Sequence, residues 1–358
     1  MAAVDVVTAP CVALYIVVHM LITVVLADGV VGTAILALTL LRQPLLIRRI
    51  QAAFLRVWMS PLIGLLENFG GLTLRLTGDA FRENESCLFL SNHRSWTDTI
   101  VIYSCARQVG AHGNVKFFAK FPLIFFPIYG LAGHVTKVCV FIKRSAESAT
   151  RMFGRAFNFL SDPNAQFPFW MISYLEGTRL TPAKLQQAQD FAKKRDLQVL
   201  EHVLQPRVKG FISMVHELRS VTPAVYDITI GYDEEPVTRD PLPSFTKILW
   251  QGAWNEDRVI HVHQRRIPMS ELPHDDEALK LWIYKMYAEK DELLKHYYKH
   301  GHFPGERLEW KRMSRSYQYG WYVATLVSAA AVVAGGVLAV RGLLGSAWWT
   351  GTPTVKVV

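Results

Sequence analysis

The sequence predicts an α/β domain with a mostly parallel sheet flanked by helices, held between an N-terminal and a C-terminal membrane helix. Three observations point there. Between residues 71 and 301, short runs rich in Val, Ile, Phe and Tyr alternate with stretches of helical periodicity. Two long runs nearly free of charge lie outside that region, one towards each end. The composition is also apolar and basic at once: 51% apolar, 19% charged, and 39 Lys and Arg against 30 Asp and Glu, for a formal net charge of +9. A disordered chain combines low apolar content with strong charge, so that class is excluded. Four cysteines in 358 residues, without paired spacing, exclude a disulfide scaffold.

Cys11 to Leu41 is a run of 31 residues with one Asp (Asp28), one His (His19) and no Lys, Arg or Glu. About 20 apolar residues span a bilayer core. Asp28, Gly29 and Gly32 leave two forms open, one tilted helix or a hairpin of two short ones. A cleaved signal peptide fits less well, because residues 1–10 carry no Lys or Arg. Residues 42–70 read as a basic amphipathic helix on the membrane surface. In it Leu45, Leu46, Ile50, Phe54, Leu55, Trp58 and Met59 recur at near-helical spacing between arginines. The alternative is a helix packed on the domain core. After a basic juxtamembrane linker at 302–319, Gly320 to Val340 forms a second uncharged run, closed by Arg341 and the tail 341–358. Its Ala and Gly residues permit close helix packing, and Trp321, Tyr322, Trp348 and Trp349 flank it as an interfacial belt does. Arg42, Arg48, Arg49 and Arg56 follow the first run, and Lys311, Arg312 and Arg315 precede the second. The positive-inside rule then places the middle of the chain in the cytosol.

Inside the domain, strands are expected at Leu72–Leu76, Cys87–Leu90, Val138–Ile142, Phe169–Leu175, Ala224–Ile230 and Val259–Val262. Helices are expected at Thr97–Arg107, Ala146–Leu160, Pro182–Arg195, Val208–Leu218 and Asp275–Tyr298. Thr181 and Pro182 supply an N-cap and a first helical residue. Active sites of such sheets gather where loops leave the carboxyl ends of strands.

Three chemical motifs fall at such places. Ser91-Asn92-His93-Arg94-Ser95-Trp96-Thr97-Asp98 follows a strand. A His is the usual general base near neutral pH, and an Asp can hold its imidazole in one tautomer. Five helical positions turn about 500°, so on one continuous helix the pair would point apart. They meet only if His93 sits in the loop and Asp98 in the first turn, with Ser91, Asn92 or Ser95 as caps. Tyr174-Leu175-Glu176-Gly177-Thr178-Arg179 follows another strand. Gly177 permits close backbone approach, Arg179 offers a fork suited to phosphate, and Glu176 is placed to orient a cation. Lys143 and Arg144 end a third strand as adjacent cations. A fourth motif, Pro223 ahead of a strand, contributes shape. Taken singly, each has a plain structural reading: a capping Asp, a salt-bridged turn, a solvated basic turn.

In order and at these intervals, the four resemble the glycerolipid acyltransferase family. Over roughly residues 70–300 the chain is similar to the plant-type lysophosphatidic acid acyltransferases of the endoplasmic reticulum. Pro206-Arg207-Val208-Lys209-Gly210-Phe211, Thr222–Thr229 and Phe303-Pro304-Gly305 extend the likeness. It departs at Trp96, where plant-type relatives often carry an acid, and at Lys143, where some carry Glu. Both positions bear on the choice of acyl acceptor.

The resemblance implies the glycerolipid acyltransferase fold and acyl transfer from acyl-CoA, a co-substrate, to the sn-2 hydroxyl of lysophosphatidic acid. No bound cofactor is implied. His93 would be the base, Asp98 its partner, and attack direct, without an acyl-enzyme. Cys87, the nearest candidate nucleophile, lies inside a strand. Arg144 and Arg179 would grip phosphate, with Lys143, Lys120 and Lys209 as further candidates. Glu176, Gly177 and Thr178 would support the site, amides near Gly177 serving as oxyanion donors. His112, His134, His202, His261 and His263 suggest no metal site. The expected setting is the endoplasmic-reticulum membrane with the catalytic domain facing the cytosol. The net charge then suits two polyanionic substrates and an anionic bilayer, and nucleic-acid binding fits poorly. Rival readings are an acyltransferase for lysophosphatidylinositol or lysophosphatidylcholine, a thioester hydrolase, and a non-catalytic membrane-shaping protein.

Overall fold

A computed structural model of the chain describes residues 11, 14–23, 25–68, 71–125, 130–142, 154, 157, 159–232 and 258–348. Leu14–Leu40 form one helix, α1, long and apolar enough to cross a membrane. Asp28 and Gly29 do not break it. Val25–Val31 widens into a π-helical segment and Gly32–Leu40 continues as α-helix, so the run is a single helix rather than a hairpin.

The next helix, α2 (Pro44–Asn68), turns its apolar stripe inward. Leu55 and Trp58 cluster with Val138, while Met59 and Ile63 join the main core. Its polar residues find their partners in the domain too. Gln51 Nε2 donates to Val135 O (2.7 Å) and Arg56 to Gly110 O (3.0 Å). Glu67, fully buried, accepts from Arg107 on both oxygens and from Met313 N (2.7 Å). The segment expected on a membrane surface is thus built into the domain, since a buried Glu is tolerable only where such partners exist.

Among the described residues, eight strands form one mixed sheet. They are β1 (Leu72–Gly78), β2 (Cys87–Ser91), β3 (Val115–Lys120), β4 (Cys139–Ile142), β5 (Trp170–Ser173), β6 (Ala224–Gly231), β7 (Arg258–Pro268) and β8 (Arg307–Leu308). The order is β4-β3-β5-β2-β6-β7-β1-β8. Five neighbouring pairs are parallel; β6–β7 and β1–β8 are antiparallel. Strand β3 goes beyond the sequence expectation, because Lys116 and Lys120 break its apolar pattern and only pairing between β4 and β5 makes it a strand. Strand β7 runs on past Val262 through His263, Gln264, Arg265 and Arg266, supported by its long antiparallel pairing with β6.

Alternating residues face two cores, as the pleat requires. Phe89 and Tyr226 join α2 and α3 (Thr97–Gln108) on one side; Leu88, Leu90 and Val225 join α6 (Val208–Leu218) and α7 (Asp276–His300) on the other. Between them in sequence are α4 (Gly130–Val135) and α5 (Pro182–Lys194), the latter capped by Thr181 as expected. Most of the helix expected at Ala146–Leu160 lies outside the described residues. Residues 302–319 are no loose linker: Phe303 and Met313 are buried, β8 pairs with β1, and α8 (Arg315–Trp348) begins inside that stretch. Helices α1 and α8 meet through Tyr15 and His19, both near Thr325 Oγ1 (3.3 and 3.4 Å), and His19 Nε2 also reaches Trp58 O (3.0 Å).

Candidate active site

At the carboxyl end of β2 the chain turns away from the sheet. Asn92 pins this turn by bonding both backbone groups of Ile230 in β6 (3.0 and 2.8 Å). His93 then lies in the loop, and Asp98 falls in the first turn of α3. That is the one arrangement in which the pair can meet, and His93 Nδ1 stands 2.9 Å from Asp98 Oδ2. The same oxygen accepts from Arg94 N (2.7 Å) and Ser95 N (2.9 Å), and Tyr232 donates its hydroxyl to Oδ1. Asp98 is fully buried. None of the caps expected for α3 takes that place: its N-cap is Trp96, without a side-chain bond, and Ser95 Oγ accepts from Thr97 N (3.3 Å) in the turn just before the helix.

The His93 ring stacks on Tyr174 at 4.0 Å with 17° between planes. Its side chain keeps 19% exposure. Donation from Nδ1 to Asp98 makes Nε2 the basic nitrogen. No described residue bonds Nε2.

Among the described residues Glu176 pairs with no cation. Its Oε1 accepts from His93 N (2.9 Å) and its Oε2 from Leu204 N (3.3 Å), so it clamps two loops together. Burial pushes its carboxyl up to about 8, against the pull of those two hydrogen bonds. Asp291 on α7 holds the second loop, accepting from the amides of Glu201, His202 and Val203 at 2.6–3.2 Å. A path of backbone hydrogen bonds thus runs from α7 through loop 201–204 and Glu176 to His93.

Gly177 has φ 68°, in the left-handed region. A methyl there would sit 2.4 Å from Arg207 Nε, so the guanidinium lies directly against the turn. The Gly177 amide donates to Tyr174 O (2.9 Å), so of the amides near this glycine its own is already engaged. Leu180 N donates to His93 O (2.8 Å), so the strand-end turn folds back on the His93 loop with Arg179 exposed beside it. Thr178 Oγ1 accepts from Lys184. Lys120 ends β3 and Lys209 opens α6, both exposed. Lys143 and Arg144 lie outside the described residues. Pro223 sits at the opposite end of the sheet, where Pro223 O accepts from Met269 N (2.8 Å) ahead of β6. Cys87 is fully buried and burial pushes its thiol well up, so it is no accessible nucleophile.

Tyr174, Tyr232, Arg207 and Asp291 were not singled out by sequence. Tyr174 and Arg207 belong to motifs already quoted. Tyr232 and Asp291 carry no local signal, since their partners are 134 and about 90 residues away.

Comparison with known proteins speaks to the same region. A family model described as Acyltransferase matches residues 73–233, and one described as Acyltransferase C-terminus matches residues 255–324. A probable 1-acyl-sn-glycerol-3-phosphate acyltransferase 5 of Arabidopsis thaliana is 30% identical over 270 residues, covering 75% of this chain and 69% of that protein. The 1-acyl-sn-glycerol-3-phosphate acyltransferase delta of Rattus norvegicus is 31% identical over 288 residues, covering 78% and 73%. A crystal structure of a 1-acyl-sn-glycerophosphate acyltransferase from Thermotoga maritima aligns with TM-score 0.42 at 15% identity, covering 78% of this chain and 95% of that one. With the matched region running from β1 into α8, and relatives at this identity covered over more than two thirds of their length, the chain belongs to the acyltransferase family.

Proposed function

We propose that this acyltransferase moves a fatty acyl group from acyl-CoA to the sn-2 hydroxyl of 1-acyl-sn-glycerol 3-phosphate, giving phosphatidic acid. The observation that carries the reading is the buried Asp98 bonded to Nδ1 of a partly buried His93, in a chain whose relatives are named for that acceptor. Nε2 takes the hydroxyl proton as the oxygen attacks the thioester carbonyl. The tetrahedral oxyanion collapses, the C–S bond breaks, and the CoA thiolate recovers the proton from His93. Tyr174 fixes the ring plane, and Asp98 stabilises the imidazolium formed in passing. Arg179, with Lys120 and Lys209, supplies cations at the same end of the sheet for phosphates of acceptor and donor, and resemblance adds Lys143 and Arg144. Arg207, whose guanidinium lies against Gly177, is a further donor for developing negative charge.

Membrane attachment by α1 and α8, with the domain on the cytosolic side of the endoplasmic reticulum, completes the reading. It is supported by the exposed apolar residues of α1 (Leu14, Val17, Leu21, Leu36) and α8 (Val323, Leu326, Val327). The test is a full-length enzyme assayed in vesicles with defined acyl-CoAs and three acceptors. Lysophosphatidic acid should be preferred, and His93→Ala should lower the rate about 10³-fold or more. Preference for lysophosphatidylinositol or lysophosphatidylcholine overturns the acceptor, and full activity in His93→Ala overturns the mechanism.

A further inference from the structure

On the far side of β3 from α3 lies a cavity of about 390 Å³ that the catalytic reading does not use. Its wall is mainly apolar, with Phe121, Ile124, Phe141 and Leu160. Three basic side chains also face it: Lys116, His134 and Lys137. Lys116 is only 7% exposed, and no described residue pairs with its ammonium. Behind it, Lys116 and Arg48 share a small, mainly apolar pit with Asn114. Arg48 is 5% exposed; one of its terminal nitrogens donates to Phe159 O, while its Nε, like Asn114 Oδ1, has no described partner.

Buried cations are almost always paired, because leaving water without a partner strongly disfavours the charged form. Asp162 acts on Arg48 electrostatically, but Lys116 has no acid in hydrogen-bond reach among the described residues, and its side chain opens on the cavity. We propose that this cavity is a lipid-anion site, taking a single acyl chain that ends in one carboxylate or phosphate, with that head group at Lys116.

The head-group end at Lys116 is offset from the catalytic pair, while the apolar end reaches Phe121 and Ile124 beyond the end of β3. Lys116 is level with Met171 and Leu88 across the sheet. His93 follows the end of β2 at Ser91, three residues beyond Leu88, so it lies roughly 10 Å or more further along the strands and about 10 Å across, at standard strand spacings. Burial, and then the nearby Arg48, push Lys116 down to about 7, so an arriving anion would favour its charged form.

The test uses full-length protein in phosphatidylcholine nanodiscs and a photoreactive C18 fatty acid, with labelled residues read by peptide mass spectrometry. Labelling is expected at Phe121–Ile124 and at Phe159–Leu160. Oleate should compete and oleyl alcohol should not. Lysophosphatidate competing better than oleate would identify phosphate as the head group, and the reverse carboxylate. Lys116→Met should reduce labelling at least tenfold, whereas His93→Ala should leave it unchanged. A paired His134→Ala, Lys137→Met variant gives a second reading should Lys116→Met fold poorly. Undiminished labelling in both variants, equal competition by oleyl alcohol, competition by inorganic phosphate alone, or loss of labelling in His93→Ala would each overturn the proposal.

Discussion

Asp98 gathers four donors on two oxygens, and that set decides what His93 can do. Asp98→Asn puts an amide where donors already converge. It should lower kcat about 10³–10⁴-fold with little change in KM, measured by steady-state kinetics with saturating acyl-CoA. Glu176 makes a different kind of prediction. Its folded pKa, about 8, lies above its ordinary value of 4.5, so the folded state holds the proton more tightly. The stability this contributes is complete below about 4.5 and lost as pH rises through 8. The stability gap between wild type and Glu176→Gln should therefore shrink from pH 5 to pH 8 in urea titrations; a gap that widens contradicts the assignment. At Gly177, alanine meets both a left-handed backbone and Arg207. It should cost about 1–2 kcal/mol and lower activity by moving that guanidinium.

Helix α2 is the element whose role changed most between sequence and structure. Its arginines and apolar stripe suit a membrane surface, yet the stripe closes the core under β1 and Glu67 ties it to α3 and to the segment before α8. Removing one member of a buried pair leaves the other uncompensated. Glu67→Ala should cost about 3–5 kcal/mol, and Arg107→Ala in the same chain should recover part of it, as a double-mutant cycle by thermal unfolding would show. Helix α7 acts at longer range. Asp291 holds the amides of residues 201–203, and Leu204 in that loop holds Glu176. A side chain on the last helix of the domain thereby helps place the His93 backbone.

At the scale of the whole molecule, α1, α2 and α8 meet around His19, Trp58 and Thr325, so both apolar helices attach to the same side of the domain through α2. With the proposed orientation, trypsin added to sealed microsomes should cut the exposed Lys193–Lys194 region from the cytosolic face without detergent. Protection of that region until detergent is added would reverse the orientation. The positive charge divides in the same way, some beside the apolar helices and some at the carboxyl ends of the strands.

Local rules were enough for much of this. Short continuous apolar runs located β2, β5 and β6, and capping and helical period located α3, α5, α6 and α7 nearly to the residue. The His93-to-Asp98 spacing forced a loop-then-helix geometry, because no other backbone lets those side chains meet. What was invisible depends on contacts far apart in sequence. Strand β3 exists by virtue of its neighbours, not its composition. The single-helix form of residues 14–40, the burial of α2, the backbone clamp made by Glu176 and the loss of the Gly177 amide to its own turn are all decided by which partners a side chain or peptide finds. A sequence shows which groups are present; only packing shows which of them are already satisfied, and therefore which remain free to meet a substrate.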